Sequence, residues 1–225
     1  MDRREFALGA GALLAGGAFG GAALAYDGAI GSRARSLHRR AIVVDANLGP
    51  PLTSDQLPLS QATLDLARNA GVSAIKTSMG GFNAPFEDTL AEIAFYQRLI
   101  EAHPDYFRQI RNVGDIAAAK RARQVGIIFS FESAACLEDK VDRIDLFRNL
   151  GVRVMQLSYN TPSPFGAGVM SPADATLTEL GRQAVARMNE KGVALDLSHA
   201  NPATTAAAIA ASTKPVLITH AGCAA

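Results

Sequence analysis

Histidine and cysteine are scarce in this sequence, with four and two among 225 residues, and tryptophan is absent. The two cysteines, Cys136 and Cys223, lie far apart and match no metal-binding spacing. Each therefore reads as a small buried thiol and not a metal ligand, although in an exported protein the two could pair. An excess of one charge is lacking too. Lysine and arginine total 22 against 21 aspartates and glutamates, a formal charge of +1. That balance leaves no basic footprint for nucleic acid. No glycine-rich phosphate loop follows the first expected strand, which argues against a dinucleotide-binding fold. With 48% hydrophobic residues, the chain can bury a large core. Function must therefore come from specific residues.

The first residues read separately. Arg3-Arg4 precedes an apolar run over 7–24, rich in glycine and alanine. Paired arginines ahead of a weakly hydrophobic segment resemble a twin-arginine export signal. Ala23 and Ala25 are the small residues a signal peptidase reads, which predicts cleavage before Tyr26. The run is barely long enough to span a bilayer and is loaded with glycine. Residues 1–25 are therefore expected to be a signal peptide. The remainder, 26–225, is expected to be periplasmic or secreted, with no stable membrane insertion.

Beyond the leader, short apolar runs alternate with helical patterns. Strands are expected at 41–45, 72–77, 125–131, 152–157, 193–197 and 215–218. Helices are expected at 60–69, 86–102, 113–123, 141–150, 177–191 and 202–212. Thr176 is the expected N-cap of the fifth of these helices, with Glu179 as its capping-box partner. His103-Pro104 is expected to close the second. Apolar strands without polar alternation predict a parallel sheet covered on both faces. Doubly wound sheets and (β/α)8 barrels both fit.

In a barrel, the residues at the carboxyl ends of the strands converge on one face. Here those residues are Asp45, Glu132, Tyr159, His199 and His220. A carboxylate with two imidazoles suits zinc, which takes both donor types and leaves positions open for water.

Four stretches carry a family resemblance: "GIIFSFESAA", "LFRNLGVRVMQLSYNTPSPFGAG", "LTELGRQAVARMNEKGVALDLSHA" and "KPVLITHAGC". From about Ala41 to the last residue, the sequence resembles the membrane (renal-type) dipeptidases, peptidase family M19. The resemblance implies an α/β fold, a (β/α)8 barrel of the metal-dependent amidohydrolase type, with about six β/α units in this chain. It implies that Glu132 is the metal-bridging carboxylate and that His199 and His220 complete the shell of the second metal. The family's first metal is held by a His-x-Asp pair after strand one. In "VVDANLGPP", Asn47 and Gly49 stand at those places, so one zinc ion is expected rather than two, with Asp45 orienting the loop. Tyr159, beside Asn160, stands where the family has a substrate-contacting histidine, and its hydroxyl can donate to a carbonyl or oxyanion.

The family continues past the second histidine, with an arginine and an aspartate that serve the substrate. Six strands do not close an eight-stranded barrel, so the resemblance implies a fragment of a longer product or association, as in a homodimer. The expected activity is zinc-dependent hydrolysis of a dipeptide or related small amide. The alternatives are a non-peptidase member that binds one metal and a small periplasmic ligand or tailors a secreted metabolite, and an inactive truncated chain.

Overall fold

The computed structural model describes residues 30–49 and 57–222. The expected signal peptide and Cys223 lie outside the described residues. The chain divides into two units, Met1–Arg40 and Ala41–Ala225. In the first, helix α1 (Ser32–Arg40) buries no residue and carries His38, Arg39 and Arg40 in its last turn, where cations suit the helix dipole. Among the described residues no helix is long and apolar enough to cross a membrane.

The second unit alternates strands and helices. Its strands are β1 (Val44–Asp45), β2 (Ala74–Met79), β3 (Phe107–Gln109), β4 (Val125–Phe131), β5 (Val152–Met155) and β6 (Ala194–Leu195). Its helices are α2 (Gln61–Asn69), α3 (Phe86–Ala102), α4 (Val113–Ala122), α5 (Arg143–Leu150), α6 (Glu179–Lys191) and α7 (Pro202–Ala211). The strands pair in parallel, in the order β1-β2-β4-β5-β6. β2 and β4 register continuously from Ala74↔Gly126 to Met79↔Phe131. The other edge of β4 is shared. Its first residues pair with β3 and its last with β5, across a register shift at Phe129/Ser130.

Several boundaries differ from the sequence reading. β3 was not expected, because Phe-Arg-Gln is too short and too polar to stand out. It becomes a strand because Val125 N–H donates to Tyr106 O and Ile110 N–H donates to Ile127 O. The first strand shrinks to Val44–Asp45, and the second runs on to Met79. The strand expected at 215–218 contributes one parallel bridge, Asp196↔Leu217, with Leu217 N–H donating to Leu195 O at 2.8 Å. An outer segment with a partner on one side has little ladder to extend.

The cap of α6 is Thr178, not Thr176. The Thr178 hydroxyl accepts from Gly181 N–H at 2.9 Å and donates to Pro164 O at 2.6 Å. That tie to the 163–166 loop decides where the helix begins. His103 does end α3, and its Nε2 also accepts from Leu59 N–H at 2.9 Å. Asn112 and Asp115 form a capping box on α4, satisfying donors that have no helical partner.

The main core lies between the helices and one face of the sheet, and a smaller cluster on the other face sets Ile116 and Ala119 of α4 against Ala74 and Ile128. Phe131 and Phe147 are fully buried and meet edge to face, with centroids 4.8 Å apart. Phe86 packs edge-on against Phe147 at 5.6 Å. Such pairs add to the burial of their apolar area.

Candidate metal centre

The strands alternate towards their carboxyl ends, contrary to the sequence reading. The runs are Phe129-Ser130-Phe131-Glu132, Met155-Gln156-Leu157-Ser158 and Leu195-Asp196-Leu197-Ser198. Side chains in a strand point to opposite faces with period two. The apolar members of these runs belong to the buried core. The polar members share the other face, where Gln156 Nε2 donates to Asp196 Oδ2 at 3.0 Å. The main core therefore backs one face, and the other, apolar beside α4 at the start of β2 and β4, turns polar where the strands end.

Glu132, His199 and His220 converge on that face, and their ligand atoms all lie within 4.8 Å of one another. His199 and His220 face each other through Nε2 at 2.9 Å, and Glu132 Oε1 lies 3.8 Å from His220 Nε2. All three side chains are half-buried.

The outer ring nitrogens are engaged elsewhere. His199 Nδ1 is 2.8 Å from Asn160 Oδ1, which only accepts. His220 Nδ1 is 3.0 Å from Thr219 Oγ1, whose own hydrogen goes to Asp196 Oδ2 at 2.7 Å. Each Nδ1 is therefore a donor, so in the neutral form of each ring the lone pair sits on Nε2. Burial pulls His199 below its ordinary pKa, with the Glu132 charge acting the other way and His220 acting with burial.

Tyr159 stacks on His199, with ring centroids 4.0 Å apart, and on Phe82 at 5.6 Å. Burial, then the Glu132 charge, raises the phenol's pKa, so Tyr159 keeps its proton. A short loop braces this wall. Met170 N–H donates to Asn160 O and Val169 N–H to His199 O. A Cβ at Gly168 would sit 1.9 Å from Tyr159 O and 2.4 Å from Asn160 C. Both are backbone atoms and cannot swing away. Gly168→Ala is therefore expected to cost about 1–3 kcal/mol by overpacking and to shift Tyr159 and His199 together. Thermal melting checks the first effect, and near-ultraviolet tyrosine dichroism the second.

The segment after β1 is arranged differently. Asp45 Oδ1 accepts from Asn47 N–H at 3.0 Å, so this carboxylate is turned into its own loop. Asn47 Oδ1 accepts from Lys76 Nζ at 3.2 Å. Gly49 offers no side chain.

Lys76 and Asp196 were missed by the sequence reading. Both are buried, and Lys76 Nζ lies 3.9 Å from Asp196 Oδ2. Burial lowers the Lys76 pKa, opposed by Asp196 and then Glu132. Burial pushes Asp196 up, but hydrogen bonds from Ser198, Thr219 and Gln156, with the Lys76 charge, hold it below its ordinary value. The i, i+2 polar pattern at the strand ends was the available signal for these residues.

Comparison with known proteins decides the family. The membrane dipeptidase family, peptidase family M19, matches residues 32–225. The chain belongs to peptidase family M19. It is similar to dipeptidase tcpJ of Claviceps purpurea, 26% identical over 140 residues, which is 61% of this chain and 33% of that protein. An amidohydrolase structure from Pseudomonas aeruginosa superposes with a TM-score of 0.75 and 29% identity. That likeness covers 83% of this chain and 55% of the other. A metallo peptidase from Rhodobacter sphaeroides, liganded with a phosphinate mimic of the dipeptide L-Ala-D-Ala, gives a TM-score of 0.67 at 22% identity. That match covers 80% of this chain and 64% of the peptidase. The chain thus spans about a third of tcpJ and little more than half of the amidohydrolase. The M19 fold is a (β/α)8 barrel of the amidohydrolase type, and the parallel sheet here is an incomplete one.

The M19 chain meets the donor test for one ion. Two imidazole lone pairs and a carboxylate oxygen converge, with the far ring nitrogens fixed by acceptors, as metal-bound histidines require. The surroundings of Asn47 do not meet it for a second ion. The amide oxygen is taken by Lys76, Asp45 faces its own loop, and residue 49 is glycine.

Proposed function

We propose that this M19 chain is a metal-dependent, dipeptidase-like hydrolase that uses one zinc ion at Glu132, His199 and His220 on a dipeptide or related small amide. The observation that carries the reading is the pair of Nε2 atoms at 2.9 Å. With both Nδ1 atoms donating outward, two lone pairs oppose each other beside a carboxylate, an arrangement a cation relieves. A bound divalent ion supplies a Lewis acid for the scissile carbonyl and lowers the pKa of water towards neutrality.

The chain's own residues do the rest. Glu132 contributes the negative charge, Asn160 and Thr219 orient the two imidazoles, and Tyr159 O–H donates to the oxygen that gains charge in the transition state. The dipeptide mimic in the Rhodobacter sphaeroides relative supports the substrate class. Export also belongs to this reading, since Arg3-Arg4 precedes a glycine-rich apolar run and the twin-arginine route carries folded proteins.

Metal analysis of the purified full chain, with a dipeptide panel, tests the proposal. We expect about one equivalent of zinc, with hydrolysis that a chelator removes and zinc restores. One equivalent without hydrolysis would favour the non-peptidase reading. No metal would overturn both.

A further inference from the structure

Lys76 stands in the interior of β2, 3% exposed, between buried Ile75 and Thr77. A long charged side chain is rarely placed there without partners. Its amine has oxygen neighbours on three segments, Asn47 Oδ1 at 3.2 Å, Ser130 Oγ at 3.4 Å and Asp196 Oδ2 at 3.9 Å, and feels the Glu132 charge as well. An ammonium is a donor with no acceptor capacity, so this set of oxygens suits it. The main chain locks the same neighbourhood, because Leu48 N–H donates to Lys76 O at 3.1 Å. The loop that carries Asn47 is thus tied at both levels to the strand that carries Lys76.

We propose that the Lys76 amine is a built-in cation that takes the place of a second metal ion beside Asn47, and so makes this centre take up a single divalent ion. This deepens the one-zinc reading above and rests on it. The amine fills the space next to residue 47 and counters the charge of Asp196. It also bars a further cation, because like charges a few ångströms apart in a partly buried site repel strongly. Asn47 and Lys76 then act as one unit. A neutral amide oxygen accepts from the ammonium, whereas a histidine there would be aimed at a metal.

Equilibrium dialysis of the full chain against zinc, read by metal analysis, tests this. The wild type is expected to bind one equivalent. Asn47→His with Gly49→Asp supplies a ligand pair, and a Cβ at Gly49 meets nothing within 4 Å. With Lys76 still present, this double variant should also bind one equivalent. Adding Lys76→Met should raise uptake to two. Lys76→Gln on the same background should do likewise and keeps a polar group on Asn47, so a folding failure of the methionine variant does not end the test.

Two equivalents in the wild type or the double variant would overturn the proposal. So would either folded triple variant taking up no more metal than the double variant. A wild type that binds none would sink the one-zinc reading alone, and the contrast between double and triple variants would still decide the role of Lys76.

Discussion

Glu132→Gln is expected to lower zinc affinity about a thousandfold or more, and any dipeptide hydrolysis with it, while the chain stays folded. The amide has the carboxylate's shape but not its charge. A unit charge about 4 Å from another is worth about 4 kcal/mol at an effective dielectric of 20, and a divalent ion doubles that. Each 1.4 kcal/mol is tenfold in affinity, so a thousandfold loss is a conservative figure. The amide also brings an NH2 group that can donate to the lone pair on His220 Nε2, 3.8 Å from the present Oε1. Among the described residues the half-buried carboxylate pairs with that imidazole and otherwise acts through its charge, so the metal-free fold should lose little. Calorimetric titration with zinc and a melting curve read the two effects separately. Unchanged metal content in the variant would remove Glu132 from the ligand set.

Asp196→Asn should be the most costly change to stability on the polar face, at about 3–5 kcal/mol, the usual range for breaking a buried ion pair from one side. Asp196 is wholly buried and accepts from Ser198 Oγ at 2.5 Å, Thr219 Oγ1 at 2.7 Å and Gln156 Nε2 at 3.0 Å. An amide would turn a donor towards these donors and leave Lys76 without its neighbouring charge. Roughly 2–4 °C per kcal/mol is expected for a chain of this size, hence a melting point lower by about 10 °C.

The pH dependence has a defined sign. The folded carboxyl sits below its ordinary value. Its contribution is therefore present above the unfolded pKa of about 4 and is lost as pH falls through the folded one. The wild type should lose stability on acidification below about pH 4, and Asp196→Asn should lack that part of the loss. The same change frees Thr219 from its acceptor, so His220 loses its fixed tautomer. Zinc affinity should fall by about 10–100-fold, as for other outer partners of metal-bound histidines. Equal acid sensitivity in both proteins would show that the carboxylate carries no linked stability.

Burial on one side explains what could be read in advance. Helical periodicity marked α2 to α7, because each helix hides one apolar stripe and the spacing of that stripe is local. Strand ends marked Glu132, His199 and His220, because a parallel sheet under helices places all its carboxyl ends on one side. The resemblance to M19 was legible in the same segments, and the family match extends over residues 32–225. β3 was illegible, because its hydrogen bonds come from β4 and nothing local requires them. Thr178 displaced Thr176 as the cap through a bond to Pro164 O, a partner distant along the chain.

By itself, then, the order of residues determined the alternation of strand and helix, the family, and which three side chains stand at strand ends. Only the tertiary structure decided that the two Nε2 atoms oppose each other, that Thr219 links His220 to Asp196, and that Lys76 reaches Asn47. The reason is range. Periodicity records which face a residue takes on its own element. A lysine 29 positions from its amide partner meets it only after separate strands have been laid side by side.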